Sequence, residues 1–134
     1  MRVAFDIGGV LSKYPSHFRK MVDLFLGSGV EVFVITDMQE REEILETLAL
    51  NGFGSIPPDN VRAADYATHG EGCKAEVLRE LKVDVFFDDF LGYLVLPDDT
   101  IRCLMLPDPF KPYWTDTWKM PKGSPEFGRR FYKK

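Results

Sequence analysis

The stretch Val3-Ala4-Phe5-Asp6-Ile7-Gly8-Gly9-Val10-Leu11-Ser12 constrains this chain most, because it runs an apolar segment into a carboxylate and two glycines. A short apolar run bounded by glycine suits a parallel strand covered on both faces. Open α/β sheets bind ligands outside the carboxyl ends of their strands. Asp6 is therefore expected at the carboxyl end of a buried first strand. Glycines 8 and 9 let the backbone turn sharply beside it and approach a ligand closely.

Apolar residues at Phe18, Met21, Val22 and Phe25 predict an amphipathic helix, stopped by Gly27 and Gly29. Val30 to Ile35 is β-branched and mostly apolar, a second inner strand ending at Thr36-Asp37. Strand, helix, strand implies a parallel crossover. Asp37 followed by Glu40 matches a capping box, so a helix is expected to start there, with Thr36 facing its first amides. That helix runs through Ile44, Leu45 and Leu48 to Asn51-Gly52. Pro57 to Asn60 is a loop, and Val61 to Ala64 a weaker third strand.

A turn with His69, Gly70 and Gly72 leads into a helix holding Ala75, Val77, Leu78 and Leu81, with Lys74 in its first turn. A cation at a helix N-terminus opposes the macrodipole, so Lys74 is expected to serve an anion. Val83 to Phe87 is the fourth strand and delivers Asp88-Asp89. Adjacent carboxylates there repel unless a cation compensates, and a divalent metal is the simple answer. Leu94-Val95-Leu96 and Ile101 to Leu106 are expected as short further strands around the Pro97-Asp98-Asp99 turn. The fold class is α/β, a Rossmann-like parallel sheet with helices on both faces.

In 134 residues, 45% hydrophobic and 13% aromatic content is enough for one core. That core is assigned to residues 1–106. Residues 107–134 interleave Pro109, Pro112, Pro121 and Pro125 with Tyr113, Trp114, Trp118, Phe127, Phe131 and Tyr132, which precludes a long helix. They read as an arm that packs on the body or on a second subunit, as in a homodimer. Charge divides likewise: residues 1–110 hold 10 Lys+Arg and 19 Asp+Glu, a net −9, and residues 111–134 hold 7 and 2, a net +5. An acidic body gives no indication of nucleic-acid binding by the core. Cys73 and Cys103 lack metal-ligand or framework spacing, and His17 and His69 do not pair as ligands. No signal segment or apolar run of about 18 residues is found, so a cytoplasmic protein with no membrane partner is expected.

Asp6 after strand one, Thr36 after strand two, Lys74 at a helix start and Asp88-Asp89 after strand four stand in an order that resembles the haloacid dehalogenase (HAD) superfamily. Its motifs are Asp-x-Asp, Ser/Thr, Lys and a terminal acidic pair, and the match spans residues 3 to 89. The resemblance implies a Mg²⁺-dependent phosphomonoester phosphatase. Asp6 would attack phosphorus to form an aspartyl-phosphate that water hydrolyses. Mg²⁺ would be held by Asp6, the Gly8 carbonyl and Asp89, with Asp88 as ligand or in support. Thr36 and Lys74 would hold the phosphoryl oxygens, joined by Asp37 and Gly9, and Lys74 would offset Asp6.

One departure is Gly8, which stands where HAD phosphatases carry the aspartate that serves as general acid/base. Asp37 and Ser12 are candidate substitutes. The second departure is the absence of a cap insertion, which suits a large or macromolecular phosphorylated substrate, or completion of the site by a partner subunit or the arm. The alternative function is a catalytically weak HAD-fold phosphate-binding or regulatory protein, and dehalogenation fits a capless chain less well. Sugar-kinase and actin-like ATPases share an Asp-Ile-Gly-Gly opening, but here Pro15 and an amphipathic helix follow in place of a hairpin.

Overall fold

A computed structural model of the chain describes residues 1–94 and 97–105. The arm, Leu106 and the Val95-Leu96 part of an expected strand lie outside the described residues. Five strands, β1 (Arg2–Phe5), β2 (Glu31–Thr36), β3 (Val61–Ala63), β4 (Val85–Asp88) and β5 (Ile101–Leu104), form one sheet in the order β3-β2-β1-β4-β5. Every pairing is parallel, with Phe5 opposite both Val34 and Phe87. The helices are α1 (Pro15–Gly27), α2 (Arg41–Leu50), the single turn α3 (Tyr66–His69) and α4 (Cys73–Leu81).

Two apolar clusters cover the sheet, and the strand period of two sorts residues between them. Val3, Phe5, Val32 and Val34 pack with Phe18 and Val22 of α1 and Ile44 and Leu48 of α2. Ala4, Phe33, Ile35 and Phe86 pack with Leu78 of α4 and with Phe90 and Tyr93. Phe5 stacks on Phe87 at 5.0 Å, tying the two central strands. At the amino end, the Arg2 guanidinium bonds the Leu81 carbonyl at 2.7 Å, and its backbone N–H donates to Asp84 at 2.8 Å.

From β1 the chain winds outward to β2 and β3, then returns to the other side of β1 for β4 and β5. The direction of winding therefore switches between β1 and β4. In open α/β sheets the ligand crevice lies at such a switch point, beyond the carboxyl ends of the strands.

Three expected elements differ. The helix foreseen from Asp37 begins at Arg41, with Glu40 in the cap position. Strand four is Val85–Asp88, because the Val83 N–H turns back to the Leu78 carbonyl at 3.1 Å and Lys82 closes α4 in the left-handed conformation at φ 53°. Leu94 lies in a tight helical turn, Leu91–Leu94, and not in a strand. β5 is the last strand of the sheet among the described residues, with Ile101, Arg102 and Leu104 exposed.

Candidate functional site

Asp6 follows β1 directly, and its N–H donates to the Phe87 carbonyl at 2.9 Å, continuing the ladder past the last strand pair. Asp6 therefore sits beside Asp88, the last residue of β4. Both extend the alternation of Ala4 and Phe86, so both face α4. From that side Lys74 enters: its Nζ lies 2.9 Å from Asp6 Oδ1 and 2.7 Å from Asp88 Oδ2. The lysine that faced an unfavourable dipole has two carboxylates as its anions. The three groups are at most 1% exposed, so water screens this interaction little.

Asp89 completes a cluster. One carboxylate oxygen from each of Asp6, Asp88 and Asp89 lies within 4.8 Å of the others, and all three residues are buried. Three carboxylates against one ammonium give a formal charge of −2, and Lys74 is the sole buried Lys or Arg among the described residues. An all-oxygen donor set of that charge fits a hard divalent ion such as Mg²⁺ or Ca²⁺ better than a thiolate- or imidazole-seeking one.

After Asp6 the chain makes a wide turn, in which Leu11 and Ser12 N–H groups reach back five residues to the Asp6 and Ile7 carbonyls at 3.4 and 3.0 Å. Gly9 in that turn has φ 74°, and a Cβ placed on it would collide with the Asp89 carboxylate. Glycine is required there twice, by conformation and by the closeness of Asp89. Gly8 at φ −66° and ψ 128° is ordinary extended backbone. The Ser12 hydroxyl donates to the Ile7 carbonyl at 3.0 Å and the residue is exposed, so the turn uses this candidate acid/base.

Thr36 ends β2 and Asp37 follows it, buried at 1% and 3% exposure. The Thr36 hydroxyl accepts the Met38 N–H at 3.2 Å, a local turn bond and not a bond to α2. No hydrogen bond among the described residues joins Thr36 to Asp6, Lys74 or the acidic pair. Asp37, expected as a helix cap, is instead gripped from across the sheet: the Tyr93 hydroxyl donates to Asp37 Oδ2 at 2.8 Å. Tyr93 is fully buried, and the Lys74 ammonium lies 4.3 Å from its ring centre. Sequence reasoning missed Tyr93. The one available signal is that a buried tyrosine hydroxyl needs a partner, and nothing local to Phe90-Leu91-Gly92-Tyr93 names that partner.

Asp37 also lines a cleft of about 270 Å³, walled by Met38, Gln39, Glu40 and Glu43 on one side and Asp65, Tyr66 and Ala67 on the other. Asp65 caps α3 and is held below the usual carboxylate range, first by the Thr68 hydroxyl and then by the Thr68 N–H. His17 and His69 are exposed, His69 Nε2 lying 3.4 Å from Glu76, and both cysteines are free thiols.

No protein-family model, curated protein or solved structure matches the chain. The HAD resemblance rests on the residues themselves. Among the described residues no helix is long and apolar enough to cross a membrane.

Proposed function

We propose that the chain is a Mg²⁺-dependent phosphomonoester phosphatase of HAD type, acting through an aspartyl-phosphate on Asp6. The observation that carries this reading is the buried cluster of Asp6, Asp88 and Asp89 around Lys74 at the switch point of the sheet. Asp6 and Asp89, with the Gly8 carbonyl, would hold the metal. Asp88 takes the supporting role, since its Oδ2 accepts Lys74 and its Oδ1 accepts the Phe90 N–H at 2.9 Å. When bound, Mg²⁺ supplies charge neutralisation and polarisation of a phosphoryl oxygen.

The chain's own groups do the rest. Lys74 aims Asp6 and offsets its charge as a phosphate dianion approaches. An Asp6 oxygen forms a bond to phosphorus as the bond to the leaving-group oxygen breaks, and water then releases phosphate from Asp6. Thr36, whose hydroxyl accepts from Met38 and so retains its own proton to give, and the Gly9 N–H supply donors to the phosphoryl oxygens. A phosphorylated substrate, large or macromolecular because no cap is inserted among the described residues, is the partner this reading implies, in the cytoplasm.

Hydrolysis of p-nitrophenyl phosphate tests it, with Mg²⁺ or with chelator, wild type beside Asp6→Asn. Release that requires both the metal and Asp6 supports the reading, and release indifferent to Asp6 defeats it. Gly8 favours one second reading, a regulatory protein that keeps the metal and phosphate site without turnover. Mg²⁺ binding with no release from the folded wild type would select it.

A further inference from the structure

We propose that Asp37, positioned by Tyr93, is the proton-transfer group of this site and does the work that no side chain at Gly8 can do. The inference rests on the phosphatase reading above. Ile35 and Asp37 continue the face of β2 that packs toward α4, as Ala4 and Asp6 do on β1 and Phe86 and Asp88 on β4. The β1–β2 register sets Asp6 beside Ile35, so Asp37 lies one strand over and two residues further out. Strand spacing and rise make that an offset of about 8 Å between Cα atoms, with both side chains on one face.

Two observations separate Asp37 from a merely structural carboxylate. It is buried to 3% exposure and yet lines the 270 Å³ cleft, so a carboxylate that Tyr93 links to the Lys74 cluster also reaches an open space. Its orientation is also set from a distance: Tyr93, 56 residues on, holds Oδ2, and the same ring carries Lys74, which holds Asp6. One tyrosine thus indexes the proposed acid to the proposed nucleophile. Glu40, Glu43 and Asp65 are the other carboxylates on the cleft wall.

The step balances. As the Asp6 oxygen bonds to phosphorus, the ester P–O bond breaks and the protonated Asp37 carboxyl gives its proton to the departing oxygen. Asp37 carboxylate then takes a proton from the water that attacks phosphorus, and that water's oxygen displaces Asp6 as phosphate leaves. Alcohol and phosphate are the products, and Asp37 is protonated again.

The test compares kcat/KM for p-nitrophenyl phosphate, whose leaving group needs little help, with that for an alkyl phosphate, whose leaving group needs the proton. Proton transfer contributes typically about 10²- to 10⁴-fold. Asp37→Asn is expected to lose at least about a hundredfold more on the alkyl ester than on the aryl ester, and to accumulate phosphorylated Asp6. Tyr93→Phe moves the same ratio in the same direction but less, and Gly8→Asp in the Asp37→Asn background restores alkyl turnover. Equal losses on both esters, or no loss, overturn the role of Asp37 while leaving the nucleophile intact. Failure of the underlying phosphatase reading is distinct, since then Asp6→Asn would leave aryl release unchanged or wild type would release none.

Discussion

Replacing Lys74 with methionine keeps an unbranched side chain, one atom shorter, and removes the one buried Lys or Arg among the described residues from beside four buried carboxylates. Its Nζ lies 2.9 Å from Asp6, 2.7 Å from Asp88 and 4.3 Å from the Tyr93 ring centre, with no exposed surface. The Asp6, Asp88 and Asp89 cluster goes from −2 to −3. Removing one partner of a buried pair costs about 3–5 kcal/mol, because the remaining charge stays buried. Unfolding entropy of about 2.1 cal/mol/K per residue gives a chain of this size about 0.2–0.3 kcal/mol per K, so Tm falls by about 10–25 °C. Thermal unfolding followed by circular dichroism in chelator reads this directly. Adding Mg²⁺ is expected to raise Tm more in Lys74→Met than in wild type, since metal binding to the native state alone stabilises it and the variant's site is more negative. The exposed Arg62–Glu80 pair, at 3.4 Å, is the control: Arg62→Ala should cost under about 1 kcal/mol. A Lys74→Met variant within about 1 kcal/mol of wild type in chelator would refute the reasoning that this lysine holds the carboxylates together.

The two glycines of the first motif should part company. Gly9→Ala forces a Cβ against Asp89 at φ 74°, and is expected to destabilise by at least about 1–2 kcal/mol and to weaken Mg²⁺ binding in calorimetry, whereas Gly8→Ala sits on ordinary backbone. Asp65 titrates below its ordinary value of 3.8 because Thr68 donates to it twice. A lowered folded value means its contribution is present above the unfolded value and is lost as pH falls through the folded one. Thr68→Val should therefore move the Asp65 titration seen by NMR back up toward 3.8. Burial pushes the Cys103 thiol above 9.0, and Cys73 is 1% exposed. In a thiol-reagent assay near neutral pH Cys103 should react slowly and Cys73 only on unfolding, and fast reaction of both in the native state would contradict their placement.

The legible part of this chain was the part written in short apolar runs. Asp6 and Asp88 follow Val3-Ala4-Phe5 and Val85-Phe86-Phe87, and a strand's end is where the sequence changes from apolar to charged. Lys74 was legible through its awkward place in the first turn of a helix, which hinted at an anion. What local pattern could not carry were contacts between distant segments. Asp37 and Glu40 have the spacing of a capping box, yet the Asp37 side chain goes to Tyr93, 56 residues away, and the helix begins at Arg41. α3 was missed because four residues, Tyr66–His69, carry no periodicity, and only the Asp65 cap marks the start. The strand predicted from Val83 starts later because the left-handed Lys82 sends Val83 back toward α4, a turn that its apolar side chain does not announce.

The central claim is that Asp6 is a nucleophile. The most direct measurement is acid quench of the protein milliseconds to seconds after mixing with p-nitrophenyl phosphate and Mg²⁺, followed by mass mapping of peptides. The account predicts one phosphoryl group on Asp6 in wild type, more of it in Asp37→Asn, and none there in chelator or in Asp6→Asn. Turnover with no phosphoryl group on Asp6 at any quench time, or with the group on another residue, would contradict it.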